Sequence, residues 1–244
     1  MAITANGGFA TKPETDRNAF LAFTAMAWTG VLAGFGGEIA KQGFDYPLIV
    51  HVHAAFFVGW LVLFTTQVSL IRAGNYALHR RLGVMALAWA GVMLVIGPAT
   101  AIYMDALHYA AKGESPIFMS VQFTDIIAFA GLTGAAFLLR RDSAAHKRLM
   151  LLGTLYITDA GFARWLGPGV EQQLGHGFAG FFFSAYLAND LLFAGVGAYD
   201  LATRRRLHPA YVVGVAWALA NQLTGAALYF TPAWKPVAMR LIGH

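Results

Sequence analysis

Residues 47–71 read PLIVHVHAAFFVGWLVLFTTQVSLI, twenty-five positions without one Asp, Glu, Lys or Arg. A helix needs roughly 20 mainly apolar residues to cross the hydrocarbon of a bilayer, and a charge-free run of this length reads as such a span. Working outward, comparable runs recur near 19–40, 82–103, 117–139, 149–167, 178–202 and 210–231. The pattern predicts an all-α fold, a polytopic membrane bundle of seven transmembrane helices. It divides the chain into a polar N-terminal segment 1–18, a transmembrane domain 19–231 and a short C-terminal segment 232–244. The first run begins too late and is too long for a cleaved signal peptide.

Composition agrees. Of 244 residues, 58% are hydrophobic and 12% charged, against about 25% charged in a soluble domain. This excludes a disordered chain, a nucleic-acid module and an ordinary cytosolic enzyme. The lipid bilayer is the expected surrounding and no nucleic acid is expected as a partner. There is no cysteine, which excludes disulfides, thiolate metal sites, iron–sulfur clusters and c-type haem attachment.

The net charge of +5 is unevenly spread. Lys12, Arg17, Arg72, Arg80, Arg81, Arg140, Arg141, Lys147, Arg148, Arg204, Arg205 and Arg206 fall on one side of the expected spans, whereas Lys41, Lys112, Lys235 and Arg240 fall on the other. Twelve against four places the N-terminus in the cytoplasm and the C-terminus outside. Three of the basic turns share a pattern: Leu78-His79-Arg80-Arg81-Leu82, Ala145-His146-Lys147-Arg148-Leu149 and Arg205-Arg206-Leu207-His208-Pro209. Their histidines are 67 and then 62 residues apart, the length of a helical hairpin and its outer link, so the topology reads as one helix plus three hairpins. Each of these histidines, in a first turn beside arginines, is expected to meet water or lipid phosphate. Gly30 and Gly34 are spaced for close helix approach, and Gly131, Gly134, Gly195 and Gly197 can act similarly. Trp165, Tyr229 and Trp234 fall near the outer boundary, where amphipathic rings favour headgroups.

Polar groups inside the spans carry the functional signal, because charge in hydrocarbon is costly and normally faces the bundle interior. They are Glu38, His51, His53, Asp125, Asp159, Arg164 and Asp190, with Asn189, Asn221 and Gln222 as uncharged neighbours. Asp125 and Asp159 are each eight residues from an outer helix end, about 12 Å deep. All the acids lie in the outer half or at the centre, which predicts a pocket open toward the outside. His53, Phe57, Trp60, Phe64 and Gln67 form one helical stripe, as do Thr24, Trp28, Val31, Phe35 and Glu38. Phe193 extends the face that carries Tyr186, Asn189 and Asp190.

Four chemistries fit these residues to different degrees. An outward pocket for an amphipathic ligand would use His53, Asp125, Asp159 and Asp190 as polar contacts and Phe57, Trp60, Phe64 and Phe193 against the apolar part. Its buried carboxylates would suit proton-coupled binding. Simple charge neutralisation would pair Arg164 with Asp125 or Asp190 on another helix, or let it reach outward to lipid phosphate; Asp159 and Arg164 are five apart and pair poorly. A divalent metal could use His53 with Asp125, Asp190 and Glu38, although no HExxH-type pair is present. A haem b would need facing histidines, and the combination considered is His53 with His108 or His176. A retinal Schiff base is excluded, since no lysine lies within any expected span.

The motifs His51-x-His53, Leu78-His79-Arg80-Arg81-Leu82-Gly83, Ala145-His146-Lys147-Arg148-Leu149-Met150 and Tyr199-Asp200-Leu201 through Leu207-His208-Pro209-Ala210 carry a likeness. From about residue 45 onward the chain resembles a family of uncharacterised bacterial seven-helix inner-membrane proteins. The resemblance implies a multi-pass protein of the bacterial cytoplasmic (inner) membrane and assigns no catalytic residue. In topology the chain is also similar to the progestin and adipoQ receptor–like and alkaline ceramidase–like membrane hydrolases. Those carry a histidine pair in the last span where this chain has Asn221 and Gln222, which speaks against zinc hydrolysis. The expected function is therefore binding or carrying a small amphipathic or lipid-like ligand. The alternatives are a metal-dependent membrane hydrolase or oxidoreductase using the same pocket, and an accessory subunit without ligand.

Overall fold

A computed structural model describes residues 13–244; Lys12 and the rest of segment 1–12 lie outside the described residues. Nine α-helices follow one another and no strand occurs among the described residues: α1 Pro13–Gln42, α2 Leu48–Arg72, α3 Tyr76–Lys112, α4 Met119–Leu138, α5 Ser143–Tyr156, α6 Asp159–Leu174, α7 Phe178–Arg204, α8 Pro209–Phe230 and α9 Trp234–Leu241. A single 3₁₀ turn, Pro116–Phe118, leads into α4. Helices α1, α2, α3, α4 (with that turn), α7 and α8 are long and apolar enough to cross a membrane.

The fifth expected run, 149–167, is not one helix. It falls across α5 and α6, which meet at Ile157 and Thr158. The break has identifiable causes. The Thr158 hydroxyl donates to the Leu155 carbonyl at 2.6 Å, and the Asn189 amide from α7 donates to the Leu155 and Tyr156 carbonyls at 2.7 and 2.9 Å. These bonds take up carbonyls that helix continuation would otherwise use. On the far side, the Asp159 carboxylate accepts from the Ala160 N–H at 2.7 Å, which stabilises the new N-terminus.

The other helix starts follow their sequence. Asn75 accepts from the Leu78 N–H, Asp142 from the N–H groups of Ala144 and Ala145, and the His208 Nδ1 from the Ala210 N–H at 3.1 Å. An accepting Nδ1 holds the ring neutral with its proton on Nε2. His208 thus caps α8 and is buried, a correction to its expected place in water or headgroups.

Helix α5 packs on α4 and α8, whereas α6 packs on α1 and α7. The α1–α6 crossing is where the Gly30/Gly34 pair acts: a Cβ on Gly161 would lie 2.6 Å from the Gly30 carbonyl oxygen, and one on Gly34 would collide with the Gly161 carbonyl. Gly131 lies against Trp217 and Gly197 against the Tyr211 hydroxyl. Gly134 differs from expectation, since the space beside it is open. The core is built on Leu132, Leu151, Leu152, Leu155, Tyr156 and Phe193.

Side chains from the basic turns meet at one end of the bundle. Arg72 donates to Asn18 at 2.5 Å, Arg17 reaches the Arg72 carbonyl and Tyr76, and Lys147 and Arg204 both reach Asp16. Aromatic residues Phe118, Phe181, Tyr229 and Phe230 gather elsewhere, with Tyr229 and Phe181 stacked at 4.1 Å. The Trp234 indole donates to the Ile117 carbonyl beside them.

Candidate functional site

The expected site residues separate into groups. Asp125 on α4 and Asp159 at the start of α6 come together as hydrogen-bonding neighbours. The Tyr186 hydroxyl of α7 donates to Asp125 at 3.2 Å, and Tyr156 lies beside them. Asp190 does not join this pair; it faces Gln222 on α8, and both residues have buried polar atoms without a well-formed hydrogen bond. Asn189 serves the α5–α6 break, and the Asn221 amide donates to the Trp217 carbonyl within its own helix. Phe193 is packed in the core near Tyr156.

His53 stacks on Phe57 with ring centres 4.1 Å apart and lies beside the Ile96 backbone of α3. Arg164 donates to the Ala160 carbonyl and places its guanidinium 4.6 Å from the Phe35 ring centre, with Glu38 and Asp159 as its acidic neighbours. The expected partners Asp125 and Asp190 are thus replaced by Glu38 and Asp159. Glu38 itself accepts from Gln42 on the exterior. The metal set of His53, Asp125, Asp190 and Glu38 is not assembled: among the described residues, no three His, Asp or Glu side chains are placed to hold an ion.

A large cavity lies elsewhere. It has a volume of about 1310 Å³ and is bounded by α1, α2, α3, α4 and α5 at the end carrying the basic turns. Asp125, Asp159 and Asp190, around which the pocket was expected, are not part of its lining. The α2 stripe supplies its wall through Trp60, Phe64 and Gln67, as its spacing suggested, but His53 and Phe57 are not part of the lining. Leu63, Phe137 and Met150 add apolar surface, while Arg17, Arg80, Arg140, Arg141 and Lys147 line it with Asp16 as their one acidic companion. The Trp60 indole is anchored by a 3.2 Å bond to the Thr154 hydroxyl and stands edge-on to Phe129. Both polar atoms of the Gln67 amide are buried without a partner.

Two histidines share this lining. His79, in the first turn of α3, and His146, in the first turn of α5, have ring centres 6.4 Å apart with planes at 84°. The His146 Nδ1 is 2.8 Å from the Ala136 carbonyl, so that nitrogen carries the proton. His79 lies beside the Gln67 backbone carbonyl. Both rings are half-buried.

Beside the cavity runs a buried ion network that sequence reasoning missed. The Arg148 Nε and Nη2 donate to the two oxygens of Asp200, each at 2.6 Å, and both side chains are 2% exposed. Arg204 bridges from Asp200 at 3.2 Å to Asp16 at 2.5 Å, and Asp16 also receives Lys147 and the Tyr199 hydroxyl. The available signal was the pair of acids, Asp16 and Asp200, set among basic turns.

No protein-family model matches the chain, and no curated protein or solved structure shows significant similarity to it.

Proposed function

We propose that the chain is a multi-pass protein of the bacterial inner membrane that binds or carries an anionic amphiphile in the cavity at its basic end. In this reading α5 and α6 together make the fifth of seven crossings, the N-terminus is cytoplasmic and the C-terminus external. The charge bias supports that orientation, and the cavity then opens toward the cytoplasmic face. The single observation that carries the reading is the cavity itself: about 1310 Å³, with Trp60, Phe64 and Phe137 as apolar wall and five cations against one acid. Ligand pockets typically hold about 300–1,000 Å³, so a ligand with a sizeable apolar body fits. Arginine forks favour carboxylate or phosphate at its polar end.

The Asp125–Asp159 pair supports proton coupling as a second element. Two carboxyls within hydrogen-bonding reach can share one proton, and intramembrane acids beside a broken helix are a recurring arrangement in proton and ion pathways.

Binding of dodecyl phosphate and of uncharged dodecanol to the purified protein tests the proposal. Dodecyl phosphate should raise the melting temperature and bind in a salt-sensitive way, and dodecanol should do so much less. Arg80→Gln with Arg140→Gln should weaken the phosphate compound, and Gly134→Phe, which fills open space at the cavity wall, should abolish binding while the protein stays folded. Equal binding of both compounds, or binding indifferent to Gly134→Phe, refutes it.

A further inference from the structure

We propose that the cavity is a haem b site with His79 and His146 as the two axial ligands. The inference rests on the cavity reading above and names the class of amphiphile: a flat apolar macrocycle with two carboxylates.

The separation of the two rings is the first ground. A metal–imidazole bond runs about 2 Å and a ring nitrogen lies roughly 1.1 Å from its ring centre, so imidazoles on opposite sides of one ion have centres about 6 Å apart. The observed separation is 6.4 Å. At that distance the rings are too far apart to hydrogen-bond directly, and an ion with imidazole on each side fits between them. Among the described residues no third protein ligand accompanies them; an ion held between them would take its remaining positions from a macrocycle, as the four nitrogens of a porphyrin supply.

The second ground is tautomer control. The bond from the His146 Nδ1 to the Ala136 carbonyl leaves its Nε2 with the lone pair a metal needs; His79 lies near the Gln67 backbone, with its Nδ1 buried and without a well-formed hydrogen bond. Backbone carbonyls are common second partners of metal-binding imidazoles. The third ground is shape. Gly83 lies one turn beyond His79 on the same helical face; its missing Cβ would meet nothing closer than the Gln67 amide at 3.9 Å, and beside Gly134 nothing lies within 4 Å. Both glycines line the cavity and let a flat ring approach the backbone. Arg17, Arg80 and Arg140 in the same lining suit the two propionates.

With both axial positions filled by imidazole, the bound iron has no open coordination position. The near-perpendicular ring planes give a specific signature, a strongly anisotropic low-spin ferric signal in electron paramagnetic resonance.

The test uses full-length protein expressed with a haem precursor, purified in detergent, and titrated with haemin after any endogenous haem is removed. The expected result is one haem per chain with a low-spin, six-coordinate spectrum in both oxidation states. His79→Gly and His146→Gly should each lose that spectrum and weaken haemin binding by about tenfold or more. Added imidazole should restore the spectrum, which separates loss of a ligand from loss of the fold, and His53→Ala should leave it unchanged. Absence of haemin binding, or a low-spin spectrum that survives both glycine variants, overturns the proposal. Dodecyl phosphate in the same preparation separates the two readings. If it binds and haemin does not, the haem assignment alone falls; if neither binds, the amphiphile reading falls with it. Displacement of dodecyl phosphate by haemin supports both.

Discussion

Replacing Asp200 by Leu removes the acceptor for three guanidinium contacts, two from Arg148 at 2.6 Å and one from Arg204 at 3.2 Å. Breaking a buried pair by deleting one partner costs about 3–5 kcal/mol. Arg148 keeps its 2.8 Å bond to the Ala144 carbonyl and Arg204 keeps Asp16, so the lower end, about 3 kcal/mol, is expected. For a chain of this size each kcal/mol shifts the melting temperature by about 2–4 °C, giving a drop of about 6–12 °C. The double variant Arg148→Met/Asp200→Leu replaces both charges by apolar volume and should recover most of that loss, because such swaps are often neutral. Melting curves of the detergent-solubilised protein, monitored by size-exclusion chromatography after heating, supply the cycle. A single Asp200→Leu cost below about 1 kcal/mol, or a double variant as damaging as the sum of its singles, refutes the reasoning.

Three further outcomes are expected. Asn189→Leu leaves the Leu155 and Tyr156 carbonyls without their amide donor, which should cost about 1–3 kcal/mol and speed hydrogen exchange around residues 155–162; unchanged exchange there speaks against the tie. Gly161→Ala drives a methyl group into the Gly30 carbonyl and should abolish folded yield, while Gly36→Ala, with nothing within 4 Å, should not; equal yields contradict the close crossing. His208 is held below its ordinary value of 6.5, chiefly by burial and next by Arg148. The unfolded chain therefore binds the proton more readily, so the ring's contribution is present above that value and lost as pH falls below it. His208→Asn, which keeps a cap without a titrating ring, should flatten the melting temperature between about pH 5 and 8; an unchanged slope contradicts the role.

The six uninterrupted apolar helices were legible because span length and charge exclusion are local properties of a sequence. The α5–α6 break was not, because residues 149–167 are mostly apolar, with Asp159 and Arg164 as their only charges, and the side chain that stabilises the interruption, Asn189, comes from another helix. The Asp125–Asp159 meeting followed from the rule that charge avoids hydrocarbon, whereas Asp190 turned to Gln222 because its rotational position on α7 faces α8. The stripe Trp60–Phe64–Gln67 was read as cavity lining and does line one. Its other half, His53 and Phe57, points to a different part of the bundle, since where space remains between helices is decided by packing. His79 and His146 were hidden by their arginine neighbours, which marked those turns as surface, and Arg148 was hidden the same way.

If α5 and α6 together form the fifth crossing, as proposed above, their division bears on how the chain is inserted during synthesis. Its halves have 14 and 16 residues, about 21 and 24 Å of helix, and neither alone spans the ~30 Å hydrocarbon layer. An insertion machinery that samples segments one at a time would find no sufficient stop signal in either half. In the proposed seven-crossing topology, residues 143–174 would depend on the preceding or following hairpin to be drawn across, and ribosome-bound chains ending just after residue 174 should leave that segment on the synthesis side until α7 emerges.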